Sequence, residues 1–507
     1  MNAVPASPAI ADPPAFSSAL AGFLKRKPRL LVGGEWVEAR SKGRIPVFDP
    51  ATERQIAEIA DADAHDVDRA VRAARTAFES GPWPQMLPDE RERLMWRLAD
   101  LMERHAEELA ELESLDNGKP IAMARLIDVP GAISHLRYMA GWASKLGGST
   151  FNTSLRAAPG TKFHTYTVRE PVGVVGQIIP WNFPLLMATL KLSPVLATGC
   201  TSVLKPAEQT PLSALRLGEL ILEAGFPPGV VNILTGLGET TGAALVAHPG
   251  VDKIAFTGST EVGKLINIAA TATLKRVSLE LGGKSPVIVL PDVDPRTVAA
   301  GAAQAVFFNS GQVCVAGSRL FVQRKIFDEV LEGVSEASRS IVLGPGLDER
   351  TQMGPLVSQE QRDRVLGYLQ SGRKQGATIA AGGDAPAHKG YYVNPTVIVD
   401  VKPDMKIVRE EIFGPVVVAQ RFDDLDEVAS WANDTPFGLA ASIWSNDLRS
   451  VHRLIPKIKA GTVWVNCHAM IDAGMPFGGY KQSGFGREQG QAGIEMYTEL
   501  KSVCMAL

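Results

Sequence analysis

The sequence predicts an α/β protein made of a doubly wound unit, a second α/β unit and a small β region. Three observations carry this. The chain has 507 residues, beyond the ~250–300 at which one hydrophobic core stops growing, so at least two domains are expected. From residue 172 onward, short β-branched runs (172–179, 201–204, 230–234, 253–256 and 276–281) alternate with helical stretches. That is the pattern of a parallel sheet with helices on both faces. A second α/β unit opens near Pro286 with a strand-like run at 287–290 and extends to about Gly479.

In chain order, the first 20 residues are rich in Ala, Pro and Ser, with Asp12 and no basic residue before Lys25. Signal peptides need a basic start and an unbroken apolar core, and transit peptides need arginines and few acids. Residues 1–24 therefore read as a mobile tail. Val67, Val71, Ala74 and Phe78 recur at helical spacing over 64–79. Leu94, Leu98, Leu101, Leu109 and Leu112 do so over 88–115, in a helix expected to stop at Asn117-Gly118-Lys119-Pro120. Residues 162–169 alternate sides, and the segment from Tyr497 is again strand-like. Short strands with little core of their own read as a pairing surface for another subunit.

The net charge of −3 gives no basic face for nucleic acid and no polybasic membrane anchor, and no run reaches the ~20 apolar residues of a membrane span. Cys200, Cys314, Cys467 and Cys504 show no paired spacing and no CxxC. Neither a disulfide framework nor a metal site is expected, and a reducing, cytoplasmic setting is.

Two segments carry the chemistry. Phe307-Phe308-Asn309-Ser310-Gly311-Gln312-Val313-Cys314-Val315-Ala316-Gly317-Ser318-Arg319 sets one cysteine between an apolar run and a glycine-spaced turn. Val277-Ser278-Leu279-Glu280-Leu281-Gly282-Gly283-Lys284-Ser285-Pro286 offers a lone glutamate in a strand-like run. A lone cysteine is more often structural, and Cys200 and Cys467, beside apolar runs, fit that role. Small and polar neighbours leave Cys314 room for a substrate carbon, and its pKa would fall if the following turn opened a helix. Glu280 could pair with Lys284, but a carboxylate with its pKa raised by burial also suits a general base.

Both segments resemble the active-site signatures of the NAD(P)-dependent aldehyde dehydrogenase superfamily, and the likeness runs from about Leu30 to the C-terminus. It implies a Rossmann-like NAD-binding domain (25–150 and 171–284), an α/β catalytic domain (285–482) and a small β oligomerisation or bridging region (151–170 and 483–507). It implies Cys314 as nucleophile and Glu280 as the base that hydrolyses a thioester, a step that acylating relatives do not need. In Ile178-Ile179-Pro180-Trp181-Asn182, the Asn182 amide would join the Cys314 N–H in an oxyanion hole, although an Asn between prolines is also ordinary turn chemistry. Lys191 and Glu488 match positions proposed to relay protons.

The resemblance further implies cofactor contacts from Ile178, Pro180, Trp181, Lys205, Glu208, Gly238, Gly242, Phe256, Gly258, Ser259, Val262, Leu281, Gly282, Glu411 and Phe413. Lys205 and Glu208 would hold the adenine ribose, and a carboxylate there would repel a 2′-phosphate, favouring NAD over NADP. Glu411 would hold the nicotinamide ribose, with Phe413 near the ring. Gly258 to Lys264 imitates a P-loop, but Leu265 stands where the Mg²⁺-binding Ser/Thr belongs, and the glycines suit a pyrophosphate at a helix N-terminus better.

The expected reaction is NAD-dependent oxidation of an aldehyde to the acid, with no metal. A thiol hydrolase would need a histidine base, and none of the eight histidines lies in a recognisable signature. A non-catalytic binding protein is the other rival. Val313, Val315, Met475, Phe183 and Met187 promise an apolar channel, and Asp472 is the only carboxylate in the 465–477 loop. This points to aromatic aldehydes, or alternatively aliphatic ones, over charged substrates. Segments 163–192 and 463–487 resemble phenylacetaldehyde dehydrogenases most. The family also implies a homotetramer built from dimers, with the dimer as the alternative.

Overall fold

The computed structural model of the chain describes residues 10–156 and 159–507. An eight-stranded sheet organises its first half. The centre is parallel, in the spatial order Arg276–Glu280, Lys253–Thr257, Val174–Ile178, Thr201–Lys205, Val231–Ile233. The chain starts in the middle, winds out to one side, then crosses back to fill the other, as a doubly wound sheet does. The order reverses between Val174–Ile178 and Lys253–Thr257, so a crevice opens at the carboxyl ends of those strands. Successive strand residues go to opposite cores. Val203 joins Val67, Val71 and Leu245 on one face, while Leu204 joins Leu98, Leu112 and Leu196 on the other.

A second sheet of seven strands is parallel apart from its edge strand Thr378–Ala381. Pro286–Val289 is one of its central strands, so residues 281–285 form the join between the sheets. Glu280 closes the last parallel strand of the first sheet, and Cys314 lies just before the Arg319–Gln323 strand of the second. A third, antiparallel sheet pairs Thr498–Ala506 with the whole of Phe163–Pro171 and adds Thr150–Phe151. Among the described residues, no helix is long and apolar enough to cross a membrane.

Three expectations need correction. The run read as one helix over 88–115 is two, Pro88–Arg104 and Ala106–Asn117. The kink is at His105 (φ −106°, ψ 21°), whose ring lies between Glu108 and Arg216. The leucine spacing continues across the kink, so periodicity alone does not register it. The second helix does end where expected, with Gly118 at φ 89°.

The stretch read as a tail contains the helix Ser18–Leu24, capped by Ser17 and docked through buried Leu20 and Phe23. Two apolar residues three apart suffice to seat one helical turn. Residues 1–9 of that expected tail, and 157–158 of the expected oligomerisation region, lie outside the described residues. Finally, Gly484–Phe485 pairs with Arg276–Glu280 at the edge of the first sheet, although the sequence reading grouped it with the third.

Candidate active site

The turn that carries Cys314 is built by backbone geometry that few sequences tolerate. After the helix Pro295–Phe307, Asn309 and Ser310 adopt left-handed φ values of 48° and 56°. Such residues cost about 1–3 kcal/mol each, so the surroundings must hold them. They do: Asn309 Nδ2 donates to the Asn182 carbonyl at 2.9 Å, and Ser310 Oγ donates to the Gly354 carbonyl at 2.8 Å. Gly311 is at φ +71°, where a Cβ would stand 2.0 Å from the Gly414 carbonyl oxygen. The turn then delivers Cys314 into an apolar cluster with Phe183, Val313 and Val315.

No helix follows Cys314; the chain runs into the Arg319–Gln323 strand. The condition for a helix-lowered thiol pKa is therefore not met. Instead desolvation pushes the thiol up to about 12, and the charges of Glu411 and Glu280 add to that.

Glu280 is buried at the carboxyl end of its strand, and its Oε2 has no hydrogen-bond partner. Lys284 is not its partner: the Lys284 Nζ is itself buried and unbonded. Burial holds the Glu280 carboxyl well above the usual range; the charge of Glu488 pushes the same way, while Lys191 and Arg487 oppose. Lys191 and Glu488 form a buried ion pair between the helix Pro184–Thr198 and the segment before Gly490–Glu495. The join binds these groups together. The Gly283 N–H donates to Glu411 Oε1 at 2.8 Å, and a Cβ on Gly283 would lie 2.3 Å from the Cys314 carbonyl oxygen. Burial also raises Glu411, to about 7.

Asn182 Nδ2 donates to the Gln312 carbonyl at 2.8 Å, which leaves its second N–H free, while Oδ1 is buried without a partner. Several groups that the sequence reading missed hold this segment. Asn117 Nδ2 donates to the Trp181 carbonyl at 2.8 Å, and the Glu113 carboxylate accepts the Leu185 N–H at 3.1 Å. The Lys119 ammonium, between Glu113 and Asp128, lies 4.4 Å from the centre of the Phe183 ring. The Asn117-Gly118-Lys119-Pro120 run reads as a helix stop. The signal for more was a lysine and an asparagine placed where only a breaker is needed.

The residues expected at the cofactor collect along the crevice. Lys205 Nζ and Glu208 Oε2 pair at 3.0 Å, and Lys205 and Ile178 flank Gly242. Gly238 to Gly242 form a π turn. Ser259 caps the helix Thr260–Ala270 by accepting the Val262 N–H, just after Phe256 and Gly258. Trp181, following Pro180, meets Phe413 edge-on at 5.2 Å. Gly282 lies under Glu411, where a Cβ would stand 2.2 Å from Oε2, and Leu281 packs on Gly263. Lys264 is turned to Gln482 at 2.9 Å and Leu265 is exposed, so no phosphate loop of the P-loop kind forms here.

The wall near Cys314 is apolar. Phe183 and Phe308 stack at 6.0 Å, joined by Leu186, Met187, Ala469 and Phe477. Cys467, expected to be purely structural, shares this cluster. One histidine does reach the Cys314 turn. His468 Nε2 lies 2.8 Å from the Val315 carbonyl, which requires an N–H there, and Nδ1 lies 3.1 Å from Ser442 Oγ. Burial drives its pKa down to about 4. With both ring nitrogens engaged, His468 is not available as a thiol's base.

The aldehyde dehydrogenase family profile matches residues 36–503. Phenylacetaldehyde dehydrogenase of Pseudomonas fluorescens is 51% identical over 480 residues, 94% of this chain and 96% of that protein. The mitochondrial aldehyde dehydrogenase of Rattus norvegicus is 50% identical over 477 residues, 94% of this chain and 91% of that protein. The NAD+ complex of the aldehyde dehydrogenase from Bacillus cereus superposes with a TM-score of 0.95 at 48% identity, over 98% of this chain and 100% of that one. A cysteine turn, a buried glutamate and an asparagine-bearing loop, meeting where two α/β sheets join, are thus accompanied by relatives matching almost end to end, and the chain belongs to the aldehyde dehydrogenase family.

Proposed function

We propose that this chain is an NAD-dependent, non-acylating aldehyde dehydrogenase whose substrates are aromatic aldehydes of the phenylacetaldehyde type. The observation that carries this reading is the convergence of Cys314, Asn182 and unpartnered Glu280 beside an apolar wall. On this reading the first sheet belongs to the cofactor domain and the second to the catalytic domain.

The residues present fit NAD. The Lys205–Glu208 pair offers a donor and an acceptor to a ribose diol at a strand's carboxyl end. The start of Thr260–Ala270 offers N–H groups to a pyrophosphate. Glu411 stands over Gly282, where no side chain intrudes. When bound, the dinucleotide supplies a hydride acceptor. Glu208 disfavours a 2′-phosphate by charge.

Cys314 Sγ bonds to the aldehyde carbon while its proton passes to a carboxylate. With the thiol held so high, Glu280 is the group to take it. The substrate oxygen becomes an alkoxide held by the free Asn182 N–H and the Cys314 backbone N–H. Donors of this kind contribute about 3–4 kcal/mol each to the transition state. Loss of hydride from that carbon leaves a thioester on Cys314. Once that first proton has left Glu280 for solvent, the carboxylate takes a proton from water, the hydroxyl adds to the acyl carbon, and the C–S bond breaks to release the acid as the sulfur regains a proton from Glu280.

Apolar lining by Phe183, Phe308, Met187 and Phe477 supports an aromatic substrate, because a charged one would lose hydration with nothing to replace it. Kinetics on phenylacetaldehyde, acetaldehyde and betaine aldehyde, each with NAD and NADP, test this reading. The expected order of kcat/KM is phenylacetaldehyde, then acetaldehyde, with betaine aldehyde far behind, and NAD well above NADP. A preference for betaine aldehyde would show the channel misread, and parity with NADP would displace Glu208 from the ribose.

The same reading includes a homotetramer built from dimers. Leu265, Ile268 and Leu274 are exposed on and just after one helix, and Phe151, Leu500 and Met505 on the third sheet. Light scattering is expected to give a mass about four times the 54.3 kDa chain. A fully active monomer would contradict it.

A further inference from the structure

One face of the first sheet is polar where a core is expected to be apolar. Strand register puts Lys253 and Thr257, Ser278 and Glu280, Gln177 and Ser202 on the same side. Lys191 and Glu488 roof this face together with Cys200 and Tyr497. Lys253 is fully buried in it. Its ammonium has one hydrogen bond, to Ser278 Oγ at 3.1 Å, and lies 5.0 Å from the centre of the Tyr497 ring. No carboxylate lies within ion-pair reach of it among the described residues. Ser278, its partner, is two residues before Glu280 on the same strand and points the same way.

A buried cation without a carboxylate contact is costly to fold, and a methionine would fill the same space more cheaply. Glu280, Glu488 and Lys191 alone sum to −1, and Lys253, while protonated, brings the buried set to neutrality with both carboxylates ionised. Arg276, at the outer end of the same face, is turned to Glu499, and Arg487 acts on Glu280 from the neighbouring segment. Cys200 and Tyr497 face Lys253 as neutral groups, burial raising both.

We propose that Lys253 is a positioning residue for the proton of the hydrolytic step: its positive charge on the shared face offsets the negative charge of Glu488, so that Glu280 can ionise and accept that proton. The inference rests on the reading of Glu280 as general base. Desolvation, with repulsion from Lys191, brings Lys253 itself down to about 7, while Glu488 opposes. Lys253 thus responds to the same cluster that it biases.

The test is Lys253→Met, with Lys253→Gln as a second neutral variant should Met disturb the fold, beside Glu280→Gln. Thermal unfolding is followed first. Then NAD-loaded enzyme is mixed with substoichiometric phenylacetaldehyde, acid-quenched at intervals, and conversion of protein-bound acyl to free acid is timed across pH. Lys253→Met is expected to unfold no earlier than the wild type. Its acidic limb of hydrolysis should move up by about one pH unit, since losing a nearby positive charge raises a carboxylate's pKa. A folded Lys253 variant with an unmoved limb, while Glu280→Gln stalls as acyl-enzyme, would overturn the proposal and leave the base intact. Normal hydrolysis by Glu280→Gln would remove the base and the proposal with it.

Discussion

Cys314→Ala is expected to lose aldehyde oxidation by at least about four orders of magnitude while binding NAD as the wild type does. The reason lies in the division of the site. Cys314 meets the join and the apolar cluster through its turn, whereas the Lys205–Glu208 pair and the Thr260–Ala270 helix belong to the first sheet. Removing one sulfur therefore deletes the covalent step without touching the crevice. Fluorescence titration with NAD and absorbance at 340 nm read the two properties separately. Near-normal NADH production by this variant would sink the thioester mechanism. The partly buried thiol adds a second expectation. Because desolvation, Glu411 and Glu280 all push it upward, the free enzyme holds little thiolate at neutral pH. Attack then depends on moving a proton to a carboxylate in the site, which ties the first chemical step to the second.

The sequence made the fold class legible because strand and helix periods are local properties. The runs at 201–204 and 253–256 fall within the observed strands Thr201–Lys205 and Lys253–Thr257. What stayed hidden depends on contacts between residues far apart in the chain. The His105 kink conserves the apolar spacing on both sides, so only its contact with Arg216 reveals it. Asn309 contributes through a bond to the Asn182 backbone, 127 positions away. Lys119 read as part of a breaker, and its place against Phe183 follows from packing that no motif encodes. Lys253 looked like the opening of a strand, and only the register across three strands puts it on the same face as Glu280. The settings of Cys314 between an apolar run and a glycine-spaced turn, and of Glu280 in a strand, are local and so readable. The thiol's environment was not, because a helix after Cys314 and a strand after it are equally compatible with Val315-Ala316-Gly317-Ser318.

Glu280→Gln is the variant that separates the two halves of the reaction. Glutamine keeps the volume and polarity of a side chain that is buried beside Gly478 but has no ionised form to accept a proton. Hydride transfer itself needs only the alkoxide, so the variant is expected still to make about one NADH per site, but more slowly, because Glu280 also takes the thiol proton. Turnover should then stop at the thioester, with steady-state kcat lower by about 10²–10⁴-fold, the usual contribution of a positioned base. Mass spectrometry after acid quench should find the acyl group on the peptide containing Cys314. The sign of the pH dependence follows from the raised carboxyl. Burial and Glu488 hold Glu280 protonated to a higher pH than an exposed glutamate, and only its ionised form accepts a proton. Wild-type hydrolysis therefore rises as pH increases through that raised value and fails below it, whereas the residual hydrolysis of the variant has no such limb. A variant with kcat within about threefold of the wild type, and an unchanged acidic limb, would place the hydrolytic base elsewhere. Glu411, the other carboxylate raised by burial at this join, would be the first residue to examine.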